Sequence, residues 1–132
     1  MKNLDFGVKK QPRTNYKADV AVRINKNGLL ANGEYRYCVA FRFYNDSAKK
    51  IVNKEEHIAF AIDSEDNRIY FKESNSFEGY KLSRNKTTQN SLTITRTIYD
   101  MDPWEKIVGD YVLLYDRTEK LHYIDLNKNL KK

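Results

Sequence analysis

The sequence predicts a mainly β fold of the α+β class, in which a curved antiparallel sheet or a partly open barrel of about eight strands carries two short helices. Short segments of alternating apolar and polar residues recur along the chain, as in strands with one buried face. Clusters of Asn, Gly, Asp and Ser separate these segments, as turns do. The two segments with helical spacing are too short to cover a large sheet. The 132 residues, 40% hydrophobic and 32% charged, indicate a single globular domain, residues 1–132.

Two strands are predicted in the first third of the chain. Residues 18–25 place Val and Ile on one face and Ala and Arg on the other. Asn27-Gly28 and Asn32-Gly33 are predicted as turns, because both residue types tolerate positive φ. Residues 35–44 have the clearest alternation. Their odd positions, Tyr, Val and Phe, are predicted to face the core, and their even positions, Arg, Cys and Ala, to face outward.

A helix followed by a hairpin is predicted twice, over residues 46–71 and 102–124. In the first segment Asp46 is expected to cap a helix of residues 47–52, and two strands flank the polar turn of residues 64–67. Both helices contain Lys-Ile-Val, a match that an internal repeat and chance explain equally well.

The second segment begins with a strong helix signal. Asp102 is predicted as the cap, Pro103 as the first helical residue and Gly109 as the helix end. Residues 111–115 and 121–126 are then predicted to form a hairpin around a charged turn.

The rest of the chain is predicted to hold two more strands and two irregular ends. The strands cover residues 80–82 and 91–97. Residues 1–17 show no period and form a basic arm, which could lie along a phosphate backbone or be ordered only by packing of its few apolar residues. Residues 128–132 are predicted to be a frayed basic tail.

Positive charge is concentrated in the N-terminal part. Residues 1–50 hold eleven Lys or Arg and four Asp or Glu, a net charge of +7, whereas residues 51–132 hold thirteen and fourteen, a net charge of −1. This asymmetry favours an anionic partner, nucleic acid being the commonest. A solvated surface on a Lys- and Asn-rich protein is the competing interpretation.

The candidate binding residues are therefore the cations of this basic half. Outward-facing arginines on a strand present planar guanidinium groups to phosphate or carboxylate, although cross-strand ion pairs are an alternative use for them. The residues predicted to bind DNA, RNA or another anionic partner are Lys9, Lys10, Arg13, Lys17, Arg23, Lys26, Arg36 and Arg42.

Catalytic chemistry is not indicated. His57 and His122 are far apart in the chain, and each is more typical of a strand residue than of a proton shuttle. Cys38 lies in a predicted strand, where a buried, inert thiol is expected. The carboxylates of residues 63–66 could hold Mg²⁺, but turn solvation is the commoner role. Trp104 is expected to pack on the sheet, with an exposed partner anchor as the alternative. No enzyme activity, metal or cofactor is predicted.

The expected compartment is the cytoplasm. No apolar run approaches the ~18 residues that a membrane span needs, so no membrane association is predicted. The first residues lack the apolar core of a signal peptide. The single cysteine fits a reducing environment.

Residues 21–28, 46–52 and 57–62 resemble the pattern of the AbrB-like (SpoVT/AbrB, swapped-hairpin) family, in which a strand ending in a basic turn and Gly leads to a short helix and a hairpin. Members of that family are dimeric DNA-binding modules. The resemblance implies a homodimer in which Arg23 and Lys26 contact the duplex.

The chain differs from that pattern in two places. Residues 29–45 form an insertion, and Glu55-Glu56 stands where the family opens its hairpin with Gly-Asp, whereas Gly109-Asp110 occurs in the second segment. The small size, basic charge and Lys/Asn-rich composition also resemble accessory proteins of phages and mobile elements.

Two functions from different classes follow as hypotheses. The first is a non-enzymatic nucleic-acid-binding protein of phage or mobile-element type, which uses its basic N-terminal half. The second is a phage-encoded, anti-CRISPR-like inhibitor that binds a host defence nuclease or ribonucleoprotein in the host cytoplasm. A virion structural protein is a third interpretation.

Overall fold

A computed structural model describes residues 18–44, 46–54, 56–84 and 92–130. These residues form ten strands and two short helices, which confirms the predicted mainly β, antiparallel class. The elements in chain order are β1 (Val20–Leu29), β2 (Tyr35–Phe43), α1 (Ser47–Ile51), β3 (His57–Asp63), β4 (Arg68–Ser74), β5 (Tyr80–Lys81), β6 (Ser83–Arg84), β7 (Leu92–Ile98), α2 (Asp102–Glu105), β8 (Gly109–Tyr111), β9 (Leu114–Asp116) and β10 (Leu121–Asp125).

The strands of the described residues form two antiparallel sheets. The first sheet has the order β6-β7-β2-β1-β8 and the second the order β5-β3-β4-β10-β9. Neither sheet is closed. They pack against each other because alternate residues of β1, β2 and β7 face alternate residues of β3, β4 and β10. Phe71 of the second sheet meets Phe41 and Phe43 of the first edge to face, with ring centroids 5.6 and 5.3 Å apart. The fully buried side chains of this shared core include Val20, Val22, Val39, Phe41, Phe43, Ile58, Ile69, Phe71, Ile94 and Ile124.

Both helices are too short to be stable alone and depend on packing at the edge of this core. In α1, Ala48 is buried and the Ser47 hydroxyl donates a 2.9 Å hydrogen bond to the carbonyl of Asp19. In α2, the Trp104 ring lies 6.5 Å from Phe41 and 6.2 Å from Phe60, edge to face. Trp104 thus packs against the sheets, as one of its two predicted roles required.

The predicted helix caps are only partly correct. Asp46 occupies the N-cap position of α1 in a left-handed conformation, but its side chain makes no capping hydrogen bond. Asp102 is the first helical residue rather than the cap, and its backbone N–H is instead bonded to the carboxylate of Asp100 at 3.1 Å. Helix α2 ends at Glu105, so the expectation that Gly109 terminates it was wrong.

Gly109 instead begins β8, where it gives room to a side chain from the end of the chain. A Cβ at Gly109 would lie about 2 Å from the Asn129 amide. That amide accepts a 3.1 Å bond from the Asp110 N–H and donates a 3.0 Å bond to the Val108 carbonyl. The Leu130 N–H also bonds the Asp110 carbonyl at 2.8 Å. Residues 128–130 are therefore held against β8, and the predicted frayed tail does not begin at Lys128.

The predicted strand of residues 111–115 is in fact two strands in different sheets. The chain leaves the first sheet after Tyr111 and enters the second at Leu114. Asp19 fixes this crossing, since its carboxylate accepts the Leu113 N–H at 2.9 Å and its own N–H bonds the Tyr111 carbonyl at 2.9 Å. The apolar run in the sequence gives no sign of this change of sheet, because the change depends on Asp19, more than ninety positions away.

The two predicted helix-hairpin segments differ in their connections. Helix α1 leads directly into the hairpin β3–β4, whereas α2 leads first to β8 in the other sheet and only then to β9–β10. The strands β4 and β10 are neighbours in the second sheet. An internal repeat of residues 46–71 and 102–124 remains a prediction.

No helix in the described part of the chain has the length and apolar character needed to cross a membrane.

Candidate nucleic-acid interface

The candidate interface is a two-stranded projection of the first sheet. Strands β1 and β2 pair with each other from Val20↔Phe43 out to Leu29↔Tyr35. Their outer neighbours stop much earlier: β8 pairs only with residues 20–22 of β1, and β7 pairs only with residues 37–43 of β2. We call residues 24–36 the ribbon. It extends beyond β8, and its outer part, residues 27–36, extends beyond β7 as well.

The ribbon is exposed along almost its whole length. Ile24 is half-buried where the ribbon leaves the core, and all residues from 25 to 36 whose side chains are described are exposed. With a rise of roughly 3.3 Å per residue, the four steps from Lys26, the last position flanked by β7, to Leu30 span roughly 13 Å. Two paired strands lie about 4.8 Å apart, so the projection is long and thin.

A β-bulge, rather than the predicted turn, lies at Asn27-Gly28. Lys26 faces Tyr37 and Leu29 faces Tyr35, so two residues of β1 stand opposite the single residue Arg36. Gly28 has φ +94°, a conformation that glycine adopts without strain. The prediction was wrong because Asn-Gly suits a bulge as well as a two-residue turn, and only the register of the partner strand decides between them.

The bulge determines which side chains share a face of the ribbon. Since successive residues of a strand alternate, the extra residue places Leu29 on the same face as Lys26 and Tyr35. The Lys26 ammonium lies 4.2 Å from the centroid of the Tyr35 ring. Leu29 is 66% exposed and Tyr35 49% exposed. This apolar face of the ribbon combines two uncovered hydrophobic side chains with one cation. The opposite, polar face carries Asn25 and Arg36.

The tip of the ribbon is a well-defined turn, as predicted for Asn32-Gly33. The Leu30 N–H donates to the Glu34 carbonyl at 2.7 Å and the Gly33 N–H to the Leu30 carbonyl at 3.0 Å. The Asn32 side chain accepts the Glu34 N–H at 3.0 Å, and Gly33 has φ +87°. These bonds hold the tip in one geometry, which keeps the two strands in register.

Arg23, predicted to contact an anionic partner, is engaged inside the protein. Its Nη2 donates to Asp110 Oδ1 at 2.8 Å, and its Nη1 donates to the carbonyls of Val22 and Gly109, both at 2.9 Å. The side chains of Arg23 and Asp110 are only 27% and 9% exposed. This pair joins β1 to β8, so Arg23 is a structural residue at the base of the ribbon.

Arg36 and Arg42 lie on the same outward face of β2 but in different surroundings. Arg36 is exposed on the ribbon, whereas Arg42 is half-buried further down the strand. Arg42 Nη1 donates to the Tyr44 hydroxyl at 3.3 Å, and its Nε is buried without a hydrogen-bond partner among the described residues. Thr93, its register partner on β7, has a similarly unsatisfied hydroxyl. Arg36 is thus the better placed of the two to meet a partner.

The remaining predicted contacts belong to the N-terminal arm. Lys9, Lys10, Arg13 and Lys17 lie outside the described residues, so their role stays a prediction. Of the four described candidates, Lys26 and Arg36 lie on the ribbon, on its opposite faces. Arg23 and Arg42 lie at or below its base.

A second cluster of polar and aromatic side chains lies on the outer face of the second sheet. Arg68 Nη1 donates to the Tyr70 hydroxyl at 3.0 Å and contacts Asp116 Oδ2 at 3.3 Å, while the Tyr70 hydroxyl donates to the same carboxylate oxygen at 2.9 Å. The Arg68 guanidinium also lies 4.4 Å above the Tyr123 ring. The hydrogen bond from Tyr70 is the main reason that the pKa of Asp116 is lowered.

This cluster is unsuited to an anion. Asp63 and Asp125 stand directly beside Arg68 on the neighbouring strands, and Asp116 pairs with it. The guanidinium of Arg68 is thus already paired with a carboxylate of the protein, as that of Arg23 is. We assign the cluster to holding β4, β10 and β9 together.

The described residues offer little material for catalysis. They contain no group of three or more His, Cys, Asp or Glu side chains close enough to hold a metal. Cys38 is buried, and burial raises the pKa of its thiol. His122 packs against the Tyr115 ring at 4.9 Å, and burial lowers its pKa. His57 lies on β3 and His122 on β10, strands that are not neighbours.

The fold and the site define a class of protein: two packed antiparallel sheets from which a basic, partly apolar β-ribbon projects. Comparison with protein-family models, with curated proteins and with solved structures gives no match to this chain.

Sequence reasoning missed two residues of this interface. Leu29 lies between the two predicted turns, and Tyr35 is predicted to face the core. No local signal in the sequence marks them, because their exposure depends on where β7 and β8 end.

Proposed function

We propose that the protein is a non-enzymatic nucleic-acid-binding protein whose main contact element is the ribbon of residues 24–36. One observation carries this proposal: the outer part of the ribbon, residues 27–36, extends beyond both flanking strands, and the ribbon presents the exposed cations Lys26 and Arg36, one on each face.

The dimensions of the ribbon suit a nucleic-acid groove. The major groove of B-form DNA is roughly 12 Å wide and 8.5 Å deep and admits a two-stranded β-ribbon. The part of the ribbon beyond β7, roughly 13 Å long, exceeds that depth, so it can enter a groove before the body of the protein meets the backbone. Its exposed polar side chains include Asn25 and Asn32, which can donate and accept hydrogen bonds at base edges.

The charge of the ribbon favours a polyanion, although modestly. Lys26 and Arg36 supply two positive charges against one negative charge at Glu34. The predicted contacts of the N-terminal arm would add four more cations from the part of the chain that precedes β1. A protein that neutralises several phosphates releases counterions, so its affinity falls steeply with salt.

A binding measurement at two salt concentrations tests the proposal. Fluorescence anisotropy with a labelled 20-base-pair DNA duplex, the matching single strand and an RNA duplex should show binding to at least one probe at 50 mM salt. That binding should weaken by at least roughly tenfold at 200 mM. Absence of binding to all three probes at 50 mM would contradict the proposal.

A protein partner is the second candidate, because of the exposed apolar side chains on the ribbon. Leu29 and Tyr35 are uncovered, and aromatic and aliphatic anchors of this kind dominate protein interfaces. In that function the protein inhibits a host nuclease or ribonucleoprotein. A stoichiometric complex that forms in a host lysate, persists after nuclease digestion and is lost on Tyr35→Ser would favour this candidate over nucleic-acid binding.

A further inference from the structure

The apolar face of the ribbon is exposed in a place where hydrophobic side chains have no structural role. Leu29 and Tyr35 lie opposite each other beyond the ends of β7 and β8, so no described strand can cover them. Leu30, at the start of the tip turn, is also exposed. Exposed apolar groups that cluster together usually mark a binding surface.

The geometry of the tip makes this face a wedge. The hydrogen bonds of the tip turn fix the ends of both strands, and the bulge turns Leu29 onto the face of Tyr35. Lys26 stands directly behind them, with its ammonium over the Tyr35 ring. With this arrangement the apolar side chain of Leu29 can enter between bases while the Lys26 ammonium behind it remains at the phosphates.

We propose that the apolar face of the ribbon enters the minor groove of duplex DNA and inserts Leu29 between two stacked base pairs, so that the bound DNA is kinked. This inference rests on the proposed function and specifies its substrate. Apolar wedges in the minor groove partly unstack a base step and bend the duplex toward the major groove, by about 20–90°. The unstacking is offset by the additional protein surface that the bent DNA contacts.

The polar face of the ribbon suits the major groove, but the chemistry of the apolar face fits the minor groove, which is roughly 6 Å wide and must widen as the wedge bends the duplex. In the major groove an apolar side chain finds only the methyl group of thymine, whereas hydrogen-bonding groups do most of the reading. The apolar face offers no hydrogen-bonding group other than the Lys26 ammonium and the Tyr35 hydroxyl. At the minor groove these groups can reach phosphate oxygens on the two strands.

The experiment measures DNA bending separately from binding. A 20-base-pair duplex with a donor and an acceptor dye at its two ends is titrated with the full chain to saturation, with anisotropy recorded in parallel. The wild-type protein should bind and bring the dyes closer. Leu29→Ser should still saturate the duplex, with affinity reduced by no more than about tenfold, but leave the dye separation close to that of free DNA. Leu29→Met, which keeps an apolar wedge, should bend the duplex as the wild type does.

Tyr99→Ser is the matched control, since Tyr99 is 97% exposed and lies outside the ribbon. It should change neither binding nor bending. Binding by the wild type without a change in dye separation would overturn the wedge but leave the proposed function intact. Bending by Leu29→Ser equal to that of the wild type, or complete loss of its binding, would also overturn the wedge. Absence of wild-type binding would overturn the wedge and the proposed function together. Failure of the wedge alone is therefore distinguishable, because the wild type then still binds.

Discussion

Arg23 provides the sharpest test of how the structure divides roles among the basic residues. The sequence places it among the residues that bind an anionic partner, whereas in the structure its guanidinium makes three hydrogen bonds within the protein. We predict that Arg23→Ala destabilises the protein and leaves the salt dependence of nucleic-acid binding unchanged.

The expected loss of stability follows from the burial of the Arg23–Asp110 pair. Removing one partner of a fully buried ion pair costs about 3–5 kcal/mol, because the other charge stays in a poorly solvated place. The Asp110 side chain is 9% exposed, but that of Arg23 is 27% exposed, so water screens part of the interaction. We therefore expect a loss of about 2–3 kcal/mol in the free energy of unfolding.

Urea unfolding at pH 7 measures this loss directly. With an m-value of about 2 kcal/mol per molar urea, the midpoint should fall by about 1–1.5 M. In a thermal melt the midpoint should fall by about 8–12 °C for a chain of this size. Arg36→Ala is the control, because Arg36 is exposed and its loss should change the free energy of unfolding by no more than about 0.5 kcal/mol. An unchanged urea midpoint in Arg23→Ala, together with a weaker salt dependence of binding, would show that the structural assignment of Arg23 is wrong.

Two further predictions concern the remote contacts that complete the fold. Gly109→Ala should be clearly destabilising because a Cβ there collides with the Asn129 amide, and the same substitution should cost much less in an Asn129→Ala background; equal costs in both backgrounds would exclude this collision as the cause. Asp116→Asn should lower the melting temperature at pH 7, and by less at pH 3. The folded state holds the pKa of Asp116 below its usual value, mainly through Tyr70, so its contribution is present above pH 4 and is lost as the pH falls through the lowered pKa. Melting curves at both pH values check this, and an equal difference at pH 3 would contradict it.

The parts of the fold that the sequence predicts correctly are those with a local cause. Val39, Phe41 and Phe43 of β2 are buried in the shared core, as their alternation predicts. Cys38 and Ala40, predicted to face outward, are buried as well, so that part of the prediction was wrong. The polar turns that join β3 to β4 and β9 to β10 lie where their residue types predict them, and Asn67 and Lys120 adopt the positive φ that closes these turns.

The parts that could not be predicted depend on partners distant in the chain. The chain passes from one sheet to the other at Leu113, whose N–H bonds Asp19, and Asn129 bonds the start of β8. In the same way, nothing near Arg23 in the sequence shows that its partner is Asp110, 87 residues later. A charged residue on a strand has the same local pattern whether it meets a ligand or an ion-pair partner, so the sequence could name the candidates but not separate them.

The same limit applies to the ribbon. Alternation shows that two strands are present, but only the register shows where their neighbours end. The projection, and with it the exposure of Tyr35 and Leu29, is a property of the sheet order. The exposure of Lys26 and Arg36 needs no remote partner, and their role as contacts stays a prediction.

The most direct test of the account is the salt dependence of binding after both ribbon cations are removed. For B-form DNA, log K falls with log salt with a slope of about −0.9 per phosphate contact. We predict that Lys26→Ala/Arg36→Ala makes this slope shallower by about 1.8, because two contacts are lost. Lys72→Ala/Lys106→Ala removes the same charge from exposed positions outside the ribbon and should leave the slope unchanged. Equal slopes for the wild type and the ribbon variant, or an equal decrease in both variants, would contradict the assignment of the ribbon as the contact element.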